Sequence, residues 1–331
     1  MRLLRLAVSG LPAAWLAGAA IAFYAQTPLA QANAALQTGE ADRALALLSS
    51  VPAPAKDQAE AHNLQCRVRL TLEQWDAALS QCEQAVQLDG QNSGYRLWLG
   101  RALGEKADRA SFLRAYSLAK RVREEFEEAV RLNPRNAEAL ADLGEFYQQA
   151  PGVVGGGMDK AEGIAAQLDK VDAARGHELR GRIAEQRKDY GTAEREFKQA
   201  IGAGAHPASQ WVNLASFYQR RQRWTEMESA LHSALAAAGR DRHAGVALYD
   251  GASVLTSANR DPALAAKMLK DYLASPAKTE EAPAFVAHDR LARIEDQLGD
   301  AAAANRERAA ALALAHDYKP GADGRPQQAR N

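Results

Sequence analysis

The side chains best suited to chemistry in this sequence do not fall into a catalytic or metal-binding pattern. Its seven histidines include His62, His177 and His288, which occupy equivalent positions near the start of predicted helices. No His-x3-His, His-x2-Glu or Cys-x2-Cys spacing is present, although zinc sites use spacings of this kind. The Gly-x-Ser-x-Gly segment of a serine nucleophile elbow is also absent. We therefore expect no metal, no cofactor and no enzyme activity.

One glycine-rich segment invites a phosphate-binding interpretation, because bare backbone amides before a helix can bind an anion. Gly152 and Gly157 have the spacing of a phosphate-binding loop, but Met158 and Asp159 follow where that loop has lysine and then serine or threonine. No strand is predicted before the segment. The sequence therefore favours a structural turn.

The charge distribution gives no indication of a nucleic-acid partner. Lysine plus arginine and aspartate plus glutamate number 41 each, so no overall basic field attracts a phosphate backbone. Two local basic clusters, at residues 120–123 and 220–223, have glutamates beside them. Such mixed clusters are typical of solvated helix faces.

The helices that must position these residues recur with a period of 34 residues. Tyr190, Ala193, Phe197 and Ala200 stand 34 positions before an aromatic, an apolar, an apolar and a small residue at 224, 227, 231 and 234. A helix-turn-helix period of this length resembles the tetratricopeptide-repeat (TPR) family over roughly residues 30–316. The resemblance implies an all-α fold, namely a TPR α-solenoid in which about eight helix-turn-helix units form a right-handed superhelix.

Capping and breaking residues predict where helices begin and end. We expect the first helix over about residues 28–38, with Gly39 at its turn, and a helix start at Asp261-Pro262. Small residues are predicted where the two helices of a unit cross, at Gly100, Gly144, Gly181 and Ala215, and we expect them to leave room for the alanine position of the second helix. The chain divides into an apolar N-terminal segment (1–25), the solenoid (26–317) and a polar tail (318–331) that we expect to be disordered.

Two units are longer than the period allows. Their insertions, near residues 105–119 and 151–157, both fall between the first and second helix of neighbouring units. We therefore expect them to meet at one edge of the solenoid, which we call the rim. The second insertion, Ala-Pro-Gly-x-x-Gly-Gly-Gly-x-x-Lys-Ala, resembles that of a recurrent bacterial TPR subgroup.

The rim is the first predicted partner-binding surface. It combines aromatic side chains with nearby cations and glycine amides: Lys106, Arg109, Phe112, Arg114, Tyr116, Gly155, Gly156 and Gly157. Apolar side chains are costly to leave in water. The alternative is that the aromatic residues pack on Val153, Val154 and Met158.

The concave groove is the second predicted partner-binding surface. In TPR proteins, two positions of each first helix point into the groove, and here they include Asn63, Arg67, Arg101, Glu145, Glu178 and Arg182. The Lys–Asn clamp of chaperone-binding TPR domains is missing at these positions. The groove has mixed charge, which suits a polar segment of a partner protein. The alternative is that these are ordinary solvated side chains.

Cys66 and Cys82 are the only cysteines. They fall on the two antiparallel helices of unit two, nearly level across the turn. An oxidising compartment permits a disulfide between them, provided that their Cα atoms come within about 7 Å. Two buried free thiols are the alternative.

The N-terminal segment predicts export. Arg2 and Arg5 precede an uncharged apolar run of 20 residues, from Leu6 to Ala25. This length favours a retained single-pass membrane helix over a cleaved signal, whose apolar region has about 7–15 residues. The basic flank would remain cytoplasmic and place the repeats in the periplasm. A soluble periplasmic protein after signal cleavage is the alternative.

Together these features predict a non-catalytic scaffold of the cell envelope. It would bind protein partners in the groove or at the rim, contact the membrane through its N-terminal helix, and bind neither nucleic acid nor metal. The alternative is a small-ligand-binding TPR protein that is accessory to solute transport.

Overall fold

The computed structural model describes residues 27–51, 55–241 and 243–319. These residues form sixteen α-helices and no strand. The helices are α1 (Pro28–Thr38), α2 (Ala41–Leu48), α3 (Ala55–Thr71), α4 (Trp75–Leu88), α5 (Ser93–Asp108), α6 (Phe112–Leu132), α7 (Ala137–Gln149), α8 (Met158–Leu168), α9 (Ala173–Gln186), α10 (Tyr190–Ala203), α11 (Pro207–Arg220), α12 (Trp224–Ala238), α13 (Gly245–Ser257), α14 (Pro262–Ala274), α15 (Ala284–Gln297) and α16 (Ala301–Leu314). A single 3-10 turn at Gly152–Val154 precedes α8.

The helices form eight consecutive pairs, each an odd-numbered helix packed on the even-numbered helix that follows it. Each pair also packs on the next pair, and several odd-numbered helices contact one another from unit to unit. These odd-numbered helices therefore form one layer of the array. This is the arrangement of an α-solenoid, in which a helix pair buries its apolar face only against its neighbours.

The turns inside the pairs explain why the helices stop where they do. In six of the eight pairs, a residue of positive φ stands within two residues of the end of the first helix: Gly39, Glu73, Lys188, Gln222, Asn259 and Gly299. A left-handed residue lets the following amide bond back to the last helical turn. After Gly39, for example, the Glu40 N–H donates to the Ala35 carbonyl at 2.8 Å. The other two pairs, α5–α6 and α7–α8, are those with the predicted insertions.

Small residues at the helix crossings leave room mainly for rings and large aliphatic side chains. A Cβ at Gly100 would overlap the ring of Phe126, and one at Gly181 would lie 3.1 Å from the ring of Phe197. The prediction that these glycines accommodate an alanine of the second helix was therefore wrong at both positions. The second helix places its aromatic residue, and not its alanine, against the glycine.

The first and last units are in contact. A Cβ at Gly39 would overlap the backbone of Ala284, and the backbone N–H of His316 donates to the Asp42 carboxylate at 2.9 Å. One apolar cluster contains buried side chains of α1–α3 together with those of α9–α16. The row of helix pairs therefore closes on itself.

The two ends of the sequence fall largely outside the described residues. The predicted apolar helix at Leu6–Ala25 lies entirely outside them. Within the described ranges, no helix is both long and apolar enough to cross a bilayer. Tyr318, which we predicted to begin the disordered tail, is buried, and its ring centroid lies 4.8 Å from that of Phe285. The packed part of the chain thus extends past the predicted boundary, because this aromatic side chain covers α15.

Candidate protein-binding surfaces

The first insertion lengthens two helices. α5 continues to Asp108 and α6 begins at Phe112, so residues 105–119 build a protruding helical hairpin. Its sequence is rich in alanine, leucine, lysine and arginine, which are good helix formers. We call the segment Arg109–Arg114 the hairpin tip.

The hairpin tip exposes two large apolar side chains. Phe112 is 85% and Leu113 is 81% exposed to solvent, the highest values among the exposed large hydrophobic residues of the described chain. Arg114 beside them is also exposed. Of the two alternatives for Phe112, packing on the glycine-rich segment is therefore wrong. Tyr116 is half-buried, and the ammonium of Lys120 lies 4.5 Å from its ring centroid.

The other two cations of the predicted rim have contacts inside the molecule. The Lys106 ammonium lies 2.6 Å from the Asp76 carboxylate. The guanidinium of Arg109 lies 3.9 Å from the ring centroid of Trp75 and 2.9 Å from the Glu105 carboxylate. The contacts with Asp76 and Trp75 join the hairpin to α4, so of the three predicted cations only Arg114 stands directly beside Phe112 and Leu113 in α6.

The glycine-rich segment is a tight turn whose amides are already used. The N–H of Gly155 donates to Gly152 at 2.9 Å, that of Gly156 to Pro151 at 3.2 Å, and that of Gly157 to Tyr147 at 2.8 Å. Gly155 has a φ of 101°, which favours glycine. These glycines shape the backbone and do not present amides to a partner.

The two insertions meet, but not at the hairpin tip. Arg123 of α6 donates to the Val154 carbonyl at 3.4 Å, and its side chain covers Gly155. Phe112 stands eleven residues earlier on the same helix, about 16 Å away at 1.5 Å per residue. Val154 is buried and Val153 is 69% exposed. The predicted rim is thus two separate surfaces.

In the groove, two of the predicted arginines flank one tryptophan. The guanidiniums of Arg67 and Arg101 lie 5.2 Å and 4.6 Å from the ring centroid of Trp98. Arg101 also binds the Asp142 carboxylate at 2.6 Å. Stacking on an aromatic face holds a guanidinium in place while its N–H groups remain available in plane.

A second charged group lies on α7 and α9. Arg182 is 2.8 Å from the Glu178 carboxylate and 3.8 Å from that of Glu145. Glu145 keeps contact with water, yet burial raises its pKa above the ordinary value. The carboxylate is therefore open to water on one side, while the helices around it exclude water from the other sides and disfavour the charged form.

Asn63 does not line an open groove. It is 4% exposed, and its Oδ1 has no hydrogen-bond partner in the part of the chain that the structure describes. α3 and α5 contact each other directly, which leaves this position little access to water. Asn63 is therefore a poor candidate for contact with a partner.

Sequence reasoning missed the residues that fill the groove. The nine-residue connection between α14 and α15, residues 275–283, brings Glu280 to Arg67 of α3. Glu281 follows, and the charges of Arg101 and Arg175 act on it. These residues lie between units, so the repeat pattern does not predict their position. The only available signal was the adjacent pair of acids in a long connection.

The cysteines and the repeated histidines each join the two helices of their own unit. Cys66 and Cys82 are buried and form a disulfide, with Cα atoms 5.2 Å apart. Each of the three histidines contacts a residue nineteen positions later, on the second helix: His62 with Gln81, His177 with Glu196, and His288 with Glu307. No group of three or more potential metal ligands occurs within the described ranges.

No protein-family model matches the sequence, and no curated protein matches it. Among solved structures, TTC0263, a thermophilic TPR protein of Thermus thermophilus, is similar with a TM-score of 0.46 and 23% identity over 57% of this chain and 96% of that chain. PilF of Pseudomonas aeruginosa is similar with a TM-score of 0.41 and 16% identity, over 66% of this chain and 92% of that chain. A chain of the APC/C hetero-tetramer Cut9–Hcn1 is similar with a TM-score of 0.45 and 16% identity, over 81% of this chain and 48% of that chain. These TM-scores lie below 0.5, and the helix pairs by themselves define the α-solenoid.

Proposed function

We propose that this protein is a non-catalytic TPR scaffold of the bacterial cell envelope that binds a partner protein at the hairpin tip. The observation that carries the proposal is the exposure of Phe112 and Leu113, at 85% and 81%, on a hairpin that the regular units lack. Covering one such side chain on association stabilises a complex by about 1.5–3 kcal/mol. Large apolar residues at a protruding tip are suited to anchor an interface.

The envelope location is part of the same proposal. The basic residues and the apolar run at the N-terminus support export with a retained anchor, and a disulfide between Cys66 and Cys82 suits an oxidising compartment. A small-ligand-binding accessory of solute transport stays the alternative prediction.

The test replaces Phe112 and Leu113 together by serine in the full-length protein and measures capture of partners from detergent-solubilised membranes of the native host. We expect capture to fall at least about tenfold, because two apolar anchors are lost. Helicity and melting temperature should stay nearly unchanged, because both side chains are already in water. Lys106 and Arg109 are left intact, since their contacts with Asp76 and Trp75 support the fold.

Leu312→Ser is the matched control, because this leucine is 55% exposed on the distant helix α16. It should leave capture unchanged. Equal capture by the wild-type protein and the Phe112→Ser, Leu113→Ser variant would show that the hairpin tip is not the binding site.

A further inference from the structure

The connection between α14 and α15 is held firmly at both ends. The Tyr272 hydroxyl donates to the carbonyl of Ala282, which is buried. At the other end, a Cβ at Gly245 would overlap the carbonyl of Ala277. Between these points the residues are partly exposed. The segment from Lys278 to Glu281 is thus presented to the groove as a short strap with fixed ends.

Glu280 of this strap occupies a pocket built for a carboxylate. The Arg67 Nε donates to its Oε2 at 2.9 Å, and an Nη of the same guanidinium donates to Oε1. The Gln37 amide also donates to Oε1, at 3.0 Å. Only 9% of the Glu280 side chain and 14% of the Arg67 side chain remain exposed. A two-pronged guanidinium–carboxylate pair with a further amide donor is a specific arrangement for a carboxylate.

The pocket is assembled from distant parts of the chain. Gln37 comes from α1 and Arg67 from α3, and the latter is braced by Asn33, whose Oδ1 accepts from an Arg67 Nη at 3.4 Å. Trp98 of α5 backs the guanidinium. Arg67 and Gln37 stand more than two hundred positions before Glu280 in the sequence. The pocket walls belong to the first three units and the carboxylate to the loop before the last unit.

The complementarity extends beyond one carboxylate. Glu281 is open to water on one side, but the surrounding helices partly desolvate its carboxylate and raise its pKa, a shift that the charges of Arg101 and Arg175 oppose. Glu280 therefore pairs with Arg67, and Glu281 lies in the field of Arg101, the second arginine beside Trp98. In the structure, the acidic segment beside these arginines is the chain's own.

We propose that the groove binds an acidic peptide segment of a partner protein, anchored by a carboxylate at Arg67 and Gln37, and that Glu280 is a built-in competitor for this pocket. An internal competitor acts at a high effective concentration, about millimolar for a short tether. It therefore blocks weak acidic ligands and yields only to a segment with additional contacts. This surface lies apart from the hairpin tip, so either proposal can fail without the other.

The probe for the test is a fluorescent nine-residue peptide with the sequence of residues 275–283, and its binding is measured by anisotropy. Wild-type protein should bind it weakly, because Glu280 fills the pocket. Glu280→Ala vacates the pocket and should tighten binding about tenfold or more. Adding Arg67→Gln to Glu280→Ala should abolish the gain. A peptide with glutamine at both glutamate positions should bind poorly to every variant.

Glu226→Ala is the matched control, since Glu226 pairs with Arg223 at 2.9 Å on the surface of α12. It should bind the peptide as the wild type does. Equal affinity of the wild-type and Glu280→Ala proteins for the acidic peptide would overturn the proposal. Equal affinity of Glu280→Ala for the acidic and the glutamine peptide would overturn it as well.

A charge exchange keeps the proposal testable if Glu280→Ala disturbs folding. Arg67→Glu combined with Glu280→Arg re-forms the ion pair with opposite polarity, so this variant retains the contact between strap and pocket. Because the pocket wall now carries the carboxylate, the variant should prefer a peptide with arginine in place of both glutamates over the acidic peptide. Retained preference for the acidic peptide would overturn the proposal. Capture through the hairpin tip should be unaffected in all these variants.

Discussion

At the residue scale, the layer of odd-numbered helices contains an acidic side chain whose pKa is raised by burial. Asp250 on α13 is only partly exposed, and burial raises its pKa to about 7. Arg290 opposes this shift, whereas Glu281 and Glu178 add to it. The folded protein therefore holds a proton here that an unfolded chain has already released, so charging Asp250 opposes folding.

The sign of this effect predicts a pH-dependent stability. As pH rises from about 4 to 7, the unfolded chain loses the proton first, so the contribution of Asp250 to stability falls and stays unfavourable above pH 7. Asp250→Asn removes the titration. Relative to the wild type, this substitution should therefore change the free energy of unfolding more favourably at pH 8 than at pH 4.5, by about 1–2 kcal/mol. Partial contact of Asp250 with water keeps the difference this small. Urea unfolding at both pH values measures the difference. A difference that does not change with pH would contradict the prediction.

At the element scale, the helix pairs depend on close crossings and on specific turns. Gly100 and Gly104 stand one helical turn apart on α5, but only Gly100 faces the Phe126 ring, and nothing lies within 4 Å of a Cβ placed at Gly104. The two glycines therefore have different roles, although the local sequence does not distinguish them. One makes room for the second helix, and the other only lowers the helix propensity of its segment.

This contrast predicts opposite effects of the same substitution. Gly100→Ala should lower the free energy of unfolding by about 1–3 kcal/mol, because its Cβ forces the Phe126 ring to move. Gly104→Ala should raise it by about 0.5–1 kcal/mol, because alanine favours the helix and meets no neighbour. Chemical denaturation of both variants measures this. A higher free energy of unfolding for Gly100→Ala would show that a methyl group fits at this helix crossing beside the Phe126 ring, and would contradict the prediction.

At the scale of the whole molecule, closure changes what a row of repeats can do. In an open solenoid each unit contacts only its neighbours, but here the first unit also contacts the last through Gly39, Asp42 and the strap that carries Glu280. The groove is consequently bordered by the first and the last units as well as by those in the middle of the row. A partner that binds at Arg67 must displace Glu280.

The compartment of the protein is also a property of the whole molecule, and the disulfide tests it. In material from the native host, Cys66 and Cys82 should be joined, as non-reducing alkylation with mass spectrometry would show. Replacing both by alanine should lower the free energy of unfolding by about 2–4 kcal/mol, because the unfolded chain is no longer constrained. Two free thiols in native material would contradict export to an oxidising compartment.

The sequence by itself determined the local features of this protein. The helix at Pro28–Thr38, the helix start at Pro262 and the turn at Gly39 follow from nearby residues, because caps, turns and apolar periodicity act over a few positions. The positions of the two insertions followed in the same way. A repeat period then predicts the stack of pairs, since each pair must bury its apolar face against the next.

Only the tertiary structure decided where the candidate surfaces lie. Phe112 became an exposed tip because residues 105–119 lengthened two helices, and Asn63 became buried because two first helices pack together. Arg67 pairs with Glu280, which lies more than two hundred residues away in the sequence. Such contacts depend on the summed small rotations between units, which no single repeat encodes. A slight change in each step would have left the first and last units apart and the groove open.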